Sequence, residues 1–209
     1  MLETSVVAVY LAAVAAVYVT PGPDMALVMA VSAGNGTRAG FCCAGGIAAA
    51  RSAHVMLSGL GLAALLSEHP ALLLALRCAG AAYLLWLAWK LWRGKPNAAG
   101  QARETLSPAG AVMRGFLTNL LNPKALVFCA MLLPQFVSPE RGPLLPQFVW
   151  LGTVLVAAGC LFDTGYVLAA SGLARRASST GMLAGRLARA RNRVMGSVFV
   201  ALAARLAAG

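Results

Sequence analysis

The chain has 209 residues, 60% hydrophobic and 11% charged, with a net charge of +11. A soluble domain carries about 25% charged residues, so this composition excludes an ordinary soluble domain and points to an all-α integral membrane protein. The basic excess does not point to nucleic acid, because the Lys and Arg residues lie mostly in short segments between apolar runs, with no basic face interleaved with exposed aromatics.

Six apolar runs are long enough to cross a bilayer, which takes roughly 20 residues for about 30 Å of hydrocarbon. The first is about Ser5–Ser32. Only Met-Leu-Glu and Thr4 precede it, with no cationic stretch, which argues against a cleaved signal peptide and for a retained first helix. Inside this run stands Tyr18-Val-Thr-Pro-Gly-Pro-Asp-Met25. Pro21, Gly22 and Pro23 cannot continue a regular helix. In lipid such a break is tolerated only where protein or a water-filled cavity satisfies the freed backbone. Asp24 follows at once, and a carboxylate near mid-span costs about 2.5–3.5 kcal/mol. A broken helix with a charge at the break is one way transporters build a substrate site.

After the loop Ala33–Arg38, the second run spans Gly40 to about Leu66, and Ser67–Pro70 is a tight turn. The third runs from Ala71 to about Trp92, where Lys90 with Trp86, Trp89 and Trp92 fits an interfacial belt with a snorkelling cation. The linker Arg93–Ser107 leads to the fourth run, about Ala109–Leu133. Pro134–Pro146 is the next loop, and the fifth run is about Gln147–Ser171. A basic segment, Arg175–Arg193, leads into the sixth, ending near Ala208.

Basic residues fall on one side of this layout. Arg38, Lys90, Arg93, Lys95, Arg103, Arg114, Arg175, Arg176, Arg186, Arg189, Arg191 and Arg193 face Arg141 and Arg205 on the other. The positive-inside rule then predicts both termini on the periplasmic side. Pro23-Asp-Met-Ala-Leu-Val-Met-Ala30 is echoed by Pro123-Lys-Ala-Leu-Val-Phe-Cys-Ala130, in runs entering from opposite sides. The expected fold is therefore one transporter domain over residues 1–209, built as two inverted three-helix repeats with helices 1 and 4 broken. The first repeat is about 1–92, the linker 93–108 and the second repeat about 109–209.

Six ionisable groups lie in or at the edge of the runs: Asp24, Arg51, His54, Arg77, Lys124 and Asp163. Buried singly they would cost on the order of 10–20 kcal/mol, so pairing or a hydrated cavity is expected. Asp24 and Lys124 follow the two mid-span prolines with opposite signs and are expected to face each other across a central pathway. Asp24 can cap the second half-helix, bind a ligand, or both. Lys124 can hold the two breaks together or take part in transport. Arg51 and His54 share one helical face. His54 is either a packing histidine or a proton carrier. Arg77 is expected to snorkel, and Asp163 to belong to the pathway, being too short to snorkel. Gly45, Ala49 and Ala53 form a small-residue stripe suited to close helix packing, extended by Gly59 and Gly61. Gly152, Gly159 and Gly165 can do the same in the fifth run. The five cysteines are scattered in apolar runs without a Cys-x-x-Cys, as packing residues are.

The sequence resembles the LysE/RhtB family of amino-acid exporters. The first half carries this in Thr20-Pro-Gly-Pro-Asp24, Arg38-Ala-Gly-Phe41, Gly46-Ile47, His54, Gly59-Leu-Gly-Leu62, Ala79-Gly-Ala-Ala-Tyr-Leu84 and Trp89-Lys90. The second carries it in Gly115-Phe-Leu-Thr-Asn-Leu-Leu-Asn-Pro-Lys124, Leu133-Pro-Gln-Phe136, Asp163, Asn192-Arg193 and Gly196. The resemblance implies a bacterial inner-membrane exporter of about six helices, moving amino acids or close relatives outward with the proton gradient. It allows a homodimer by analogy. Arg51 departs from the small or apolar residue usual in the family, which disfavours a basic substrate such as lysine and favours a neutral or acidic one whose carboxylate it clamps.

On this reading substrate sits between the breaks, lined by Pro21, Gly22, Pro23, Asp24, Arg51, His54, Asn122, Pro123, Lys124 and Asp163. Half-helix N-termini and Lys124 or Arg51 hold the carboxylate; Asp24 or Asp163 holds the ammonium or exchanges a proton. The partners are then a small-molecule substrate, protons and the bilayer, with no cofactor and no resident metal. No activated nucleophile or phosphate-binding glycine loop suggests an enzyme. The main alternative is a divalent metal-ion exporter with Asp24, His54 and Asp163 as ligands, against which Lys124 and Arg51 would repel the ion. Thiol–disulfide exchange would need cysteines in reach of one another, and the adjacent Cys42 and Cys43 would strain a disulfide. A membrane scaffold leaves the two charged breaks unexplained.

Overall fold

The computed structural model describes residues 4–61, 70–93, 106–178 and 183–208. Among these residues the chain is helical without strands, as the apolar runs predict. The helices are α1 Thr4–Val19, α2 Pro23–Asn35, α3 Thr37–Gly59, α4 Pro70–Arg93, α5 Pro108–Leu120, α6 Pro123–Val127, α7 Leu144–Ser178 and α8 Leu183–Ala208. After α6 the chain continues through a π turn, Phe128–Leu132, and a 3-10 turn, Leu133–Phe136.

The first and fourth runs are each two helices, broken where the prolines predict. After α1, the Thr20 hydroxyl donates to the Ala16 carbonyl (2.6 Å). Pro21 and Pro23 supply no donor, and Gly22 is extended at φ −158°, ψ 179°. Pro23 then opens α2, where a missing N–H costs nothing. The two helices meet at 53°. In the fourth run Pro123 opens α6, and the pair meets at 56°. There the Asn122 side chain caps the new helix, accepting from the Lys124 N–H at 3.1 Å.

Several boundaries differ from the sequence reading. The loop at 33–38 shrinks to Gly36, whose φ of +88° is the left-handed region that glycine tolerates, so α2 and α3 nearly touch end to end. Leu62–Leu66 of the second run and the turn at 67–69 lie outside the described residues. The basic segment 175–193 is helical where it is described, over 175–178 and 183–193. Arg175 and Arg176 end the 35-residue α7, while Arg186–Arg193 lie in α8, because Ala, Leu and Arg favour helix. Among the described residues α7 (over Leu144–Arg176) is the one helix long and apolar enough by itself to cross a bilayer, and each bent pair is long and apolar enough when taken as one broken span. That gives up to three crossings among the described residues rather than the six expected. α3 has the length, at 23 residues, but Gly, Ala, Ser, Arg51 and His54 dilute its apolar character.

The molecule is apolar outside and partly charged inside. Leu60, Leu161 and Leu173 are 82%, 75% and 71% exposed, whereas Arg51 and Asp163 are each 3% exposed. This inverts a soluble protein and suits a lipid-facing exterior. One apolar core gathers Leu27, Val28, Val31, Ile47, Leu84, Val167 and Phe199 from α2, α3, α4, α7 and α8. A second gathers Tyr10, Val14, Phe128, Leu133, Leu151 and Leu155 from α1, the π region and α7. α3 packs on α5, α4 on α8, and both α2 and α3 on α7.

The tightest crossing is between α3 and α5. A Cβ on Gly46 would meet the Val112 carbonyl, and one on Gly115 would meet the Cys43 carbonyl. The close face is thus one residue away from the predicted stripe: Gly45 and Ala49 are exposed, and nothing lies within 4 Å of a Cβ at Gly45. In α7, Gly152 meets the Val55 side chain and Gly159 meets Arg51, while Gly165 faces open space. Two of the α4 tryptophans carry cations over their rings. Lys90 lies 4.7 Å over the Trp86 ring, Arg93 lies 4.7 Å over Trp89, and Trp92 packs on Gly196 of α8.

Candidate functional site

Where the two bent pairs meet α3 and α7, they form a partly open cavity of about 50 Å³. One water needs roughly 10–15 Å³ on this measure, so the space exceeds a single water several-fold. Its lining includes Tyr18, Thr20, Gly22, Asp24, Arg51, Asn119, Asn122, Lys124, Asp163 and Tyr166. Of the residues singled out from sequence, Gly22, Asp24, Arg51, Asn122, Lys124 and Asp163 therefore converge. Pro21, Pro23, Pro123 and His54 do not line it. Pro21 is exposed, Pro23 lines a small crevice with Tyr83, Thr118 and Asn122, and His54 is buried at 1%. The side chain of Arg77 lies outside the described residues.

The charged side chains are held by specific partners. Arg51 Nη2 pairs with Asp163 Oδ2 at 3.1 Å, with both side chains 4% exposed. The Arg51 guanidinium also lies 4.9 Å from the centre of the Tyr18 ring. Asp24 Oδ2 accepts from Asn119 Nδ2 at 2.7 Å. Lys124 Nζ donates to the Val17 and Thr20 carbonyls, at 2.6 and 2.7 Å. Those carbonyls belong to the end of α1, which has no further turn to satisfy them. Asp24 does not cap its own helix: Gly22 is the N-cap of α2 and no side chain bonds there.

The two breaks are therefore cross-linked. The side chain after Pro23 reaches the end of α5, and the side chain after Pro123 reaches the end of α1. Tyrosines tie the same region to its surroundings: Tyr18 donates to the Leu155 carbonyl (2.8 Å) and Tyr166 to the Tyr18 carbonyl (2.9 Å). The Ser58 hydroxyl donates to the Cys129 carbonyl in the π turn.

Asn119, Tyr18 and Tyr166 were not among the sequence candidates. Asn119 carries a readable signal, a polar residue within an apolar run and three before a second asparagine. The tyrosines carry none, since aromatic rings are common in any span. Arg51 was expected as a fixed charge near the pathway, but Asp163 balances it. The bare-charge argument against a basic substrate loses its basis with that pair. Among the described residues no three His, Cys, Asp or Glu side chains come together as a metal site.

Residues 15–209 match the family model of the LysE type translocator. The chain belongs to the LysE type translocators. Proteins similar to this translocator include a homoserine/homoserine lactone efflux protein of Salmonella typhi, 32% identical over 90% of this chain and 89% of the relative. A leucine efflux protein of Klebsiella pneumoniae is 30% identical over 95% and 92%. An uncharacterized membrane protein of Vibrio cholerae is 32% identical over 88% and 89%. No solved structure matches the chain. The family moves solutes and is not a family of enzymes.

Proposed function

We propose that this translocator is a secondary active exporter of amino acids or close derivatives in the bacterial inner membrane. The observation that carries the reading is the cavity where two proline-broken helices meet, bounded by Asp24, Arg51, Lys124 and Asp163. Broken helices buried in protein are a way to place polar groups at membrane depth, and the efflux names of relatives that cover about nine-tenths of the chain supply the solute class. The proposed architecture is six spans in two inverted three-helix halves, 1–92 and 109–209, with both termini periplasmic. The matching bends of 53° and 56° and the exchange of side chains between the two breaks support it. Proton coupling is part of the proposal and rests on two carboxylates, Asp24 and Asp163, lining a cavity at membrane depth. The metal-ion alternative is not favoured, because the relatives are named for amino acids and two cations flank those carboxylates.

The test is efflux from cells loaded with amino acids by dipeptide feeding, comparing wild type, Asp24→Asn and an empty vector. Wild type is expected to release one or a few amino acids faster than the vector, and Asp24→Asn to release them more slowly than wild type. Equal release by wild type and vector, with the protein present in the membrane, would refute the reading.

A further inference from the structure

The cavity holds more charge than its own architecture uses, and the surplus has a definite shape. Asp24, Arg51, Lys124 and Asp163 sum to zero formal charge, so a solute with net charge would leave the low-dielectric site unbalanced, whereas a zwitterion would not. Two of the four are engaged in holding the protein. Lys124 Nζ satisfies two carbonyls at the end of α1, and removing it would leave them without these bonds beside a helix break. Asp163 Oδ2 is engaged by Arg51.

Three buried atoms of the lining residues have no hydrogen-bond partner, Arg51 Nη1, Asp24 Oδ1 and Asn119 Oδ1, and the first two belong to groups of opposite charge whose other ends, Arg51 Nη2 and Asp24 Oδ2, are bonded. An unsatisfied buried polar atom costs about 1–3 kcal/mol, and more for charged groups, so such atoms in a cavity wall mark places where a ligand atom belongs. The guanidinium is fixed for this task. It lies under the Tyr18 ring and against Gly159, where a Cβ would overlap Nη1. The Tyr18 hydroxyl is itself anchored on the Leu155 carbonyl.

We infer that Arg51 Nη1 takes the carboxylate and Asp24 Oδ1 the ammonium of a free zwitterionic α-amino acid, with Lys124 and Asp163 as positioning residues. This rests on the exporter reading and narrows it. An amide or a lactone offers Arg51 Nη1 only a neutral carbonyl and brings a net positive charge into the site. A hydroxy acid offers Asp24 Oδ1 only a neutral hydroxyl and brings a net negative charge. Homoserine therefore suits the site better than its lactone.

The experiment is transport of labelled leucine and homoserine by proteoliposomes holding the full chain, with unlabelled competitors: the same amino acids, leucinamide, homoserine lactone and 2-hydroxyisocaproate. In wild type the free amino acids are expected to compete about ten-fold better than each analogue, the size of exchanging a charged hydrogen-bond partner for a neutral one. Arg51→Gln removes the preference for acid over amide and lactone and keeps the preference over the hydroxy acid. Asp24→Asn does the reverse. The wild-type panel decides even if both variants fail to fold, and Arg51→Lys offers a milder second variant. Transport of leucine or homoserine with amide and lactone competing equally would overturn the clamp and leave the exporter reading standing. Absence of any amino-acid transport by wild type would overturn both.

Discussion

The α3–α5 crossing offers the sharpest test of the packing. A Cβ placed on Gly46 lies 2.8 Å from the Val112 carbonyl carbon and 2.9 Å from the Phe116 nitrogen. One on Gly115 lies 2.9 Å from the Cys43 carbonyl carbon and 3.2 Å from the Ile47 nitrogen. Non-bonded carbons prefer about 3.5–4.0 Å, so the shortfall at Gly46 is roughly 0.7–1.2 Å. Every one of these atoms is backbone, so no rotamer change relieves the clash and the helices themselves must separate. Overpacking costs about 1–3 kcal/mol when side chains can adjust, and Gly46→Ala belongs at the top of that range. At about 2–4 °C per kcal/mol for a chain of this size, Tm falls by roughly 6–12 °C. Gly45→Ala is the control. It adds the same methyl one residue earlier, into open space, and gains up to about 1 kcal/mol of helix propensity. Thermal unfolding of the purified protein in detergent, followed by the fluorescence of its four tryptophans, reads both. Equal melting temperatures for the two variants would show that α3 and α5 do not cross at Gly46.

The remaining tests probe the polar links. Arg51→Met or Asp163→Leu alone strands a buried charge and is expected to cost about 3–5 kcal/mol, with the double variant recovering most of it; additive losses in the same melts would mean the two do not act as a unit. Lys124→Met removes two bonds to the end of α1, so amide hydrogen exchange should rise around residues 17–25 and not uniformly. A uniform rise would sink that assignment. Asn122→Ala loses a helix cap worth about 0.5–2 kcal/mol, whereas Asp24 caps nothing, and the stability cost of Asp24→Asn should come only from the Asn119 bond. Finding the cap loss at Asp24 instead would invert the description of the two breaks.

The breaks themselves were legible, because proline acts through its own ring and missing N–H, whatever surrounds it. Convergence of Asp24, Arg51, Lys124 and Asp163 on one cavity was legible for a related reason, since charges in apolar runs need somewhere to go. Which charge meets which was not. Opposite signs at equivalent positions suggested Asp24 facing Lys124, yet the bonds run from Asp24 to Asn119 and from Lys124 to carbonyls of α1. Backbone carbonyls are invisible in a residue string, and their demand at a helix end outranks sequence symmetry. The glycine stripe missed by one residue because Gly45 and Gly46 are adjacent, and only the helix's rotation about its axis separates a packed position from an exposed one. The basic segment before the last run was set apart by its charge, while Ala, Leu and Arg are all good helix formers.

The crossed bonds bear on how such a site can move. If each break satisfied its own polar groups, the two bent pairs could separate without loss. Here α1 depends on Lys124 from the other pair, and Asp24 depends on Asn119 from α5. Drawing the pairs apart therefore breaks bonds to charged groups, each worth about 1.5–3 kcal/mol, unless something replaces them. Water entering from either side can replace the bonds to Lys124, but only beside an open cavity. Opening and hydration are thus linked at this junction. The Arg51–Asp163 pair joins α3 to α7 rather than one break to the other, so it can stay closed while the breaks part. A solute that engages Arg51 and Asp24 together would span both sets of contacts, touching the part that holds and the part that opens.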